Sequence, residues 1–392
     1  MFKVGIISDS FPPVIDGVAN AVYNYANIIH GRFGEAVVIT PKYPNAIDDY
    51  DFEVFRYNSA KLTKSMPYRV GNPFSPKTLH DIVKKDFDIL HVHSPFSASV
   101  LANEVSLFNK KKIPTVLTYH TKYDIDIDRF VQNKQFNKVA KKFVSGNIEF
   151  ADEVWAVSNG TVDSLRKIGY KGDVFVIPNG TDFKKGKASP EEVAEIDRIY
   201  KTENEELVFL YCGRMMWYKN IKITLDSLKI LSDAGIKYKM FFVGDGPDRP
   251  SIEEYAKKIG VYSNTIFTGA VYDREKVRAY FSRADLFLFP STYDTSGLVV
   301  KEAAACGCPS ALVKGCCAAE GVEDGISGIL CDEETPESFA KAILDALKIP
   351  GILETLGKGA EDKVYLSWFD TVRIASKRYE YVIENFNIKN HK

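Results

Sequence analysis

Two carboxylates and two cations in the second half of the chain could act together on one extended anionic ligand. The run from Phe289 through Pro290, Asp294, Ser296, Gly297, Leu298 and Val299 to Glu302 and Gly307 reads as a strand end, a loop and a helix start. Gly297 lets the backbone come close to a ligand just before the helix begins. Free N–H groups at Ser296, Gly297, Leu298 and Val299 and the positive end of the helix dipole would then favour an anion, and a diphosphate fits. Glu302, about two helical turns beyond Asp294, can reach another part of the same ligand, such as vicinal ribose hydroxyls. Carboxylates so placed do not make a metal clamp. Upstream, Cys212-Gly213-Arg214 followed by Lys219-Asn220 ends a strand and sets two cations on a glycine-containing turn. Arginine offers a planar fork to phosphate oxygens and lysine a mobile point charge, so together they could neutralise a departing diphosphate. Either segment alone could be an ordinary turn with a solvated helix start.

The first half carries weaker signals. His120 stands at the end of a strand-like run, followed by Thr121, where open parallel sheets place ligands. His91 and His93 alternate along another strand; a third metal ligand at suitable spacing is missing, and packing with hydrogen bonding is the expected role. Tyr123, Asp124, Asp126 and Asp128 could form an Asp-x-Asp metal site on an extended segment, an acceptor-facing acidic loop, or a solvated surface. Five of the six cysteines fall between Cys306 and Cys331 with no His nearby. They are expected to be small reduced thiols, not a zinc site.

These residues need elements to hold them. Near-continuous apolar runs at Lys3–Asp9, Ala36–Thr40, Glu53–Tyr57, Ile89–His93, Thr115–His120, Glu153–Ser158 and Val174–Pro178 predict parallel strands covered on both faces. The plan repeats at Leu207–Gly213, Lys239–Asp245, Thr265–Val271, Leu286–Ser291, Pro309–Val313 and Gly328–Asp332. With 392 residues, the chain reads as two α/β domains, each a Rossmann-like doubly wound sheet. The expected boundaries are 1–183 and 184–367, with a helix at about 368–388 packing back on the first domain. The polar stretch between Gly180 and Leu207, with a helix-like piece at Pro190–Tyr200, reads as the join.

A formal net charge of -1 gives no general attraction for nucleic acid. The N-terminus lacks a signal-peptide pattern and no apolar run reaches the roughly 20 residues of a membrane span, so a cytoplasmic protein is expected. The stretch 132–150 combines Lys134, Lys138, Lys141 and Lys142 with Phe136, Val139, Phe143 and Val144. A helix there could lie peripherally on an anionic membrane face.

Taken in order, these motifs resemble those of the family 4 retaining glycosyltransferases of the GT-B fold over nearly the whole chain. The matching residues are Ser8 to Val18 with Gly17, His91-Val92-His93-Ser94, Tyr119-His120-Thr121, Val157-Ser158, Ile177 to Gly180, Gly213-Arg214 with Lys219, Val243 to Pro247, Glu302-Ala303 and the late Trp368. The resemblance implies two Rossmann-like domains facing a central cleft, a nucleotide-sugar as donor substrate, and neither cofactor nor metal. It gives Arg214 and Lys219 to the diphosphate, Glu302 to the ribose, the backbone of Gly269 to Val271 to the base, and His120 to the transferred sugar. The Gly17 loop would approach the donor diphosphate and sugar. Asp294 departs from the family's pair of glutamates, and its reach to the sugar is shorter by roughly 1.5 Å, about one bond. The implied mechanism retains anomeric configuration through an oxocarbenium-like transition state, with the leaving phosphate, rather than an attacking carboxylate, favoured as partner to the acceptor. Tyr119 to Tyr123 and Asp294 to Glu302 are further similar to bacterial diacylglycerol α-glucosyltransferases. UDP-glucose is the expected donor and an alcohol or lipid hydroxyl the expected acceptor, with Tyr123, Asp124 and Asp126 near it. A nucleotide-sugar epimerase, a phosphorylase and a non-catalytic GT-B binding scaffold are the alternatives.

Overall fold

The computed structural model describes residues 1–61, 68–109, 111–202 and 207–390. Within it the chain forms two compact units, one of Met1–Asn179 with the C-terminal stretch from Trp368, the other of Gly180–Ser367.

The first unit contains β1 (Phe2–Ile7), β2 (Gly34–Pro41), β3 (Glu53–Tyr57), β4 (Ser59–Lys61), β5 (Arg69–Gly71), β6 (Ile89–Val92), β7 (Thr115–Tyr119), β8 (Glu153–Ala156) and β9 (Val174–Val176). Its main sheet runs β3-β2-β1-β6-β7-β8-β9, and its neighbouring strands pair in parallel, with Ile6 opposite both Val38 and His91. Ile6, Ile7, Val38, Ile39, Leu90 and Leu117 are fully buried, which explains why these strands read as unbroken apolar runs. The antiparallel pair of β4 and β5 is absent from the sequence reading. Each strand has three residues, too few to show a period.

The second unit contains β10 (Val208–Cys212), β11 (Lys239–Val243), β12 (Thr265–Gly269), β13 (Leu286–Leu288), β14 (Ser310–Val313) and β15 (Gly328–Cys331) in the order β12-β11-β10-β13-β14-β15. In both sheets the order in which successive strands are added reverses beside the first strand, between β1 and β6 and between β10 and β13. Ligands of doubly wound sheets bind beyond the carboxyl ends of strands at such reversals, and Ser8, His93, Gly213 and Phe289 follow those four ends.

The join differs from the sequence reading. Residues 180–183 belong to the second unit: Thr181 N–H donates to Leu366 O at 2.8 Å, and Phe183 packs edge-on against Phe281. The helix Pro190–Tyr200 is part of that unit, inside the expected 184–367 range. Ser189 and Glu192 cap it reciprocally, Ile196 is buried, and Asp197 pairs with Arg283.

The helix Trp368–Asn390 lies on the first unit. Trp368 meets Tyr25 edge-on, Tyr379 stacks on Trp155 with ring centres 5.3 Å apart, and Arg378 holds Glu153 through two hydrogen bonds. Among the described residues no helix is long and apolar enough to cross a membrane.

Candidate functional site

In the second unit the loop after β13 leads into the helix Leu298–Ala305 through Gly297, whose φ is +56°. An added Cβ would lie 2.9 Å from Ala318 Cα, so both backbone conformation and space demand glycine. No side chain caps this helix, leaving its first amide groups available to an anion. Ser296 Oγ beside it is buried and, among the described residues, has no hydrogen-bond partner, so it is free to bond a ligand oxygen.

Lys219 ends the 3-10 turn Trp217–Lys219 and donates to Asp294 Oδ1 at 2.6 Å, while Ser291 Oγ donates to Asp294 Oδ2 at 2.5 Å. Both oxygens of the shorter carboxylate are thus engaged. Asn220, itself at φ +59°, ties the two loops by donating to Pro290 O at 2.9 Å. The glycines of the neighbouring turns serve close backbone approach: a Cβ on Gly244 would lie 2.1 Å from Gly213 O. Arg214 is exposed, and its side chain has no ion pair or hydrogen bond among the described residues.

Glu302 is 9% exposed and accepts a 2.6 Å hydrogen bond from Arg274 Nη2. Arg274 also holds Asp182 and lies over the Phe183 ring. Burial pushes the Glu302 carboxyl up and Arg274 opposes it. Lys301, next along, donates to Ser296 O at 3.4 Å, and burial brings its ammonium down to about 8. Gly269 O accepts from Gly244 N–H at 2.9 Å, and Val271 is half-buried. Neither Arg274 nor Lys301 was singled out from sequence. Arg274 is marked only by the Asp273 cap before it, and Lys301 only by adjacency to Glu302.

In the first unit His120 follows β7 and is 6% exposed, with burial lowering it to about 4. Its Nε2 lies 2.8 Å from His93 Nδ1. His91 and His93 are buried and hydrogen-bonded, the packing role expected of them. Gly17 opens the helix Gly17–Arg32, which Asp16 caps, and an added Cβ there meets no protein atom within 4 Å.

The acidic segment requires a correction. Tyr123, Asp124 and Asp126 lie on the helix Tyr123–Phe130, not on an extended strand, so residues two apart do not share a face. Asp124 is 4% exposed, accepts from Ser164 Oγ and sits 3.9 Å from Lys167 Nζ. Asp124 is turned into the unit, on a different face of the helix from Asp126. The cysteines at 306, 308, 316, 317 and 331 are buried thiols, and among the described residues no group of three or more His, Cys, Asp or Glu could hold a metal ion.

Residues 134–149 form the basic helix Lys134–Glu149. Val144 and Ile148 are buried, yet Phe136 (68%), Val139 (65%) and Phe143 (55%) face solvent beside the lysines, as does Phe130 (73%) just before it.

Comparison with known proteins identifies the family and the fold. Residues 15–185 match the family model Glycosyltransferase Family 4, and residues 192–363 match Glycosyl transferases group 1. The chain is 28% identical over 372 residues to an alpha-monoglucosyldiacylglycerol synthase of Acholeplasma laidlawii, covering 92% of each chain. It is 26% identical over 377 residues to a GDP-mannose-dependent alpha-mannosyltransferase of Corynebacterium glutamicum, covering 93% of this chain and 86% of the other. A solved sucrose-phosphate synthase from Thermosynechococcus elongatus superposes with a TM-score of 0.78 at 21% identity, covering 98% of this chain and 100% of that one.

Proposed function

Because the chain belongs to the family 4 glycosyltransferases of the GT-B fold, we propose that it transfers glucose from UDP-glucose to a hydroxyl of a membrane lipid, with retention at the anomeric carbon and without a metal. The observation that carries the diphosphate part of the donor assignment is the uncapped helix at Gly297, beside the Ser296 hydroxyl that has no partner among the described residues; glucose is supported by the monoglucosyldiacylglycerol synthase relative. Arg214 and Lys219 supply the cations for the leaving diphosphate. As the bond from the sugar carbon to the phosphate oxygen breaks, negative charge grows on that oxygen, and fixed N–H dipoles and cations stabilise it where it develops. The leaving phosphate then takes the acceptor proton on the same face, so configuration is retained. Glu302, held by Arg274, binds the ribose hydroxyls, and His120 meets a hydroxyl of the transferred sugar.

The lipid acceptor is supported by the relative that makes monoglucosyldiacylglycerol and by the aromatic side chains exposed between lysines at 130–143. Such a helix buries its apolar face in the lipid interface while its cations meet anionic headgroups.

The test is nucleotide release from UDP-glucose and GDP-mannose, with and without EDTA, in the presence of diacylglycerol in anionic vesicles. Release of UDP that EDTA leaves unchanged, that vesicles increase, and that yields an α-linked lipid is the expected result. A preference for GDP-mannose, a β-linked product or loss of activity in EDTA would each overturn the corresponding part of the proposal.

A further inference from the structure

A line of polar groups in the first unit runs from the C-terminal helix to His120. Tyr379 Oη lies 2.5 Å from His91 Nδ1, and His93 Nε2 lies 3.1 Å from the same nitrogen. His91 Nε2 lies 2.7 Å from Thr118 Oγ1, and His93 Nδ1 lies 2.8 Å from His120 Nε2. Tyr379 and His91 are fully buried, His93 and Thr118 nearly so. The rings are also held by packing: His93 stacks on His120, and Trp155 covers both His91 and Tyr379.

The direction of these bonds follows from acid–base chemistry. Burial pushes all three imidazoles below their ordinary range, so each is neutral and carries one N–H. A phenol O–H is a far stronger acid than a neutral imidazole N–H, so Tyr379 donates and His91 Nδ1 accepts. The His91 proton is then on Nε2, facing Thr118. A bare Nδ1 on His91 can only receive from His93 Nε2–H. That leaves His93 Nδ1 bare, and its partner on His120 must be the protonated Nε2.

We propose that Tyr379, acting through His91 and His93, is a positioning residue that fixes His120 as its Nε2–H tautomer and leaves Nδ1 of His120 as a hydrogen-bond acceptor. A sugar hydroxyl bound there gives its hydrogen to Nδ1, and a group with no hydrogen to give, such as a carboxylate at the same carbon, is refused. The site thereby reads the sugar through a tautomer set by a residue 288 positions away from His91 in sequence. This consequence for the sugar rests on the assignment of His120 proposed above; the tautomer itself does not.

The experiment uses the full chain with 15N-labelled histidine rings and no substrate. The three buried rings should each show a protonated Nε2 and a bare Nδ1. Tyr379→Phe keeps the stacked ring and removes only the donor, and should shift the ring nitrogens of His91, His93 and His120 toward mixed tautomers. In the same variant kcat/KM for UDP-glucose should fall about two- to threefold, the loss expected when roughly half the molecules carry the wrong tautomer, with affinity for UDP unchanged. A protonated Nδ1 on His120 in the natural protein, or ring signals unmoved by Tyr379→Phe, would overturn the relay. The expected ring pattern in a protein inactive on UDP-glucose would uphold the relay and sink only the functional reading.

Discussion

Acidification to pH 5 should unfold the first unit much more easily than its surface charge suggests. His120 is lowered from 6.5 to about 4, and His91 and His93 are lowered well below 6.5, by burial. A base whose folded pKa is depressed contributes stability above its unfolded value. That stability is lost as pH falls below 6.5, because the unfolded ring takes a proton that the native ring refuses. Over the roughly 1.5 pH units from 6.5 to 5, each ring that stays neutral costs about 2 kcal/mol, or about 6 kcal/mol for three. Asp9 acts in the opposite sense. Burial raises its carboxyl from 3.8 to about 6, against hydrogen bonds from Ser97 and Ala98, so below pH 6 the native chain takes a proton before the unfolded one. By pH 5 it returns about 1.4 kcal/mol. The net loss is about 4 to 5 kcal/mol. With a urea dependence of about 2 to 3 kcal/mol per molar, the unfolding midpoint should fall by roughly 2 M between pH 7.5 and 5. Tryptophan fluorescence is a suitable probe, because Trp155 and Trp368 are both buried in this unit, Trp155 against His91. In His93→Gln the pH-dependent fall should shrink by somewhat under half, about 2 of the net 4 to 5 kcal/mol. A midpoint that moves by less than about 0.5 M in the natural protein would refute the neutrality of the three rings.

Two further outcomes test the second unit. Arg214→Ala and Lys219→Ala should each lower transfer about 100- to 1000-fold, the usual effect of removing one group that stabilises developing charge, while urea midpoints stay close to the natural protein's. Unchanged turnover in either variant removes that residue from the diphosphate. Gly297→Ala forces a left-handed residue to carry a Cβ 2.9 Å from Ala318 Cα, a strain of order 1–3 kcal/mol. UDP affinity by calorimetry should fall at least tenfold; equal binding would show that the loop is not where the nucleotide sits.

The two sheets were legible because their strands are buried on both faces and therefore appear as apolar runs. The short β4 and β5 were not, since Ser59, Lys61 and Arg69 are polar and are held by the pairing of the two strands and by bonds to Lys42 and Tyr43. The acidic segment misled for a related reason. Alternate aspartates suggest one face only if the chain is extended, and a helix at Tyr123–Phe130 sends Asp124 inward to Ser164.

The loop proposed to bind the donor was legible because its glycine, its helix start and its carboxylates are neighbours in sequence. The groups that hold those carboxylates are not neighbours. A carboxylate as buried as Glu302 is costly without a partner, so burial alone implies that some cation must sit on it. Which cation is a matter of tertiary packing: Arg274 comes from the start of another helix, and brings Asp182 with it. Removing Arg274 would therefore strand two carboxylates at once, and Glu302, already pushed up by burial, would protonate more readily and lose strength as an acceptor for hydroxyl groups. The residues proposed to face the ligand are thus written in local motifs, whereas their protonation states are set by contacts the motifs do not contain.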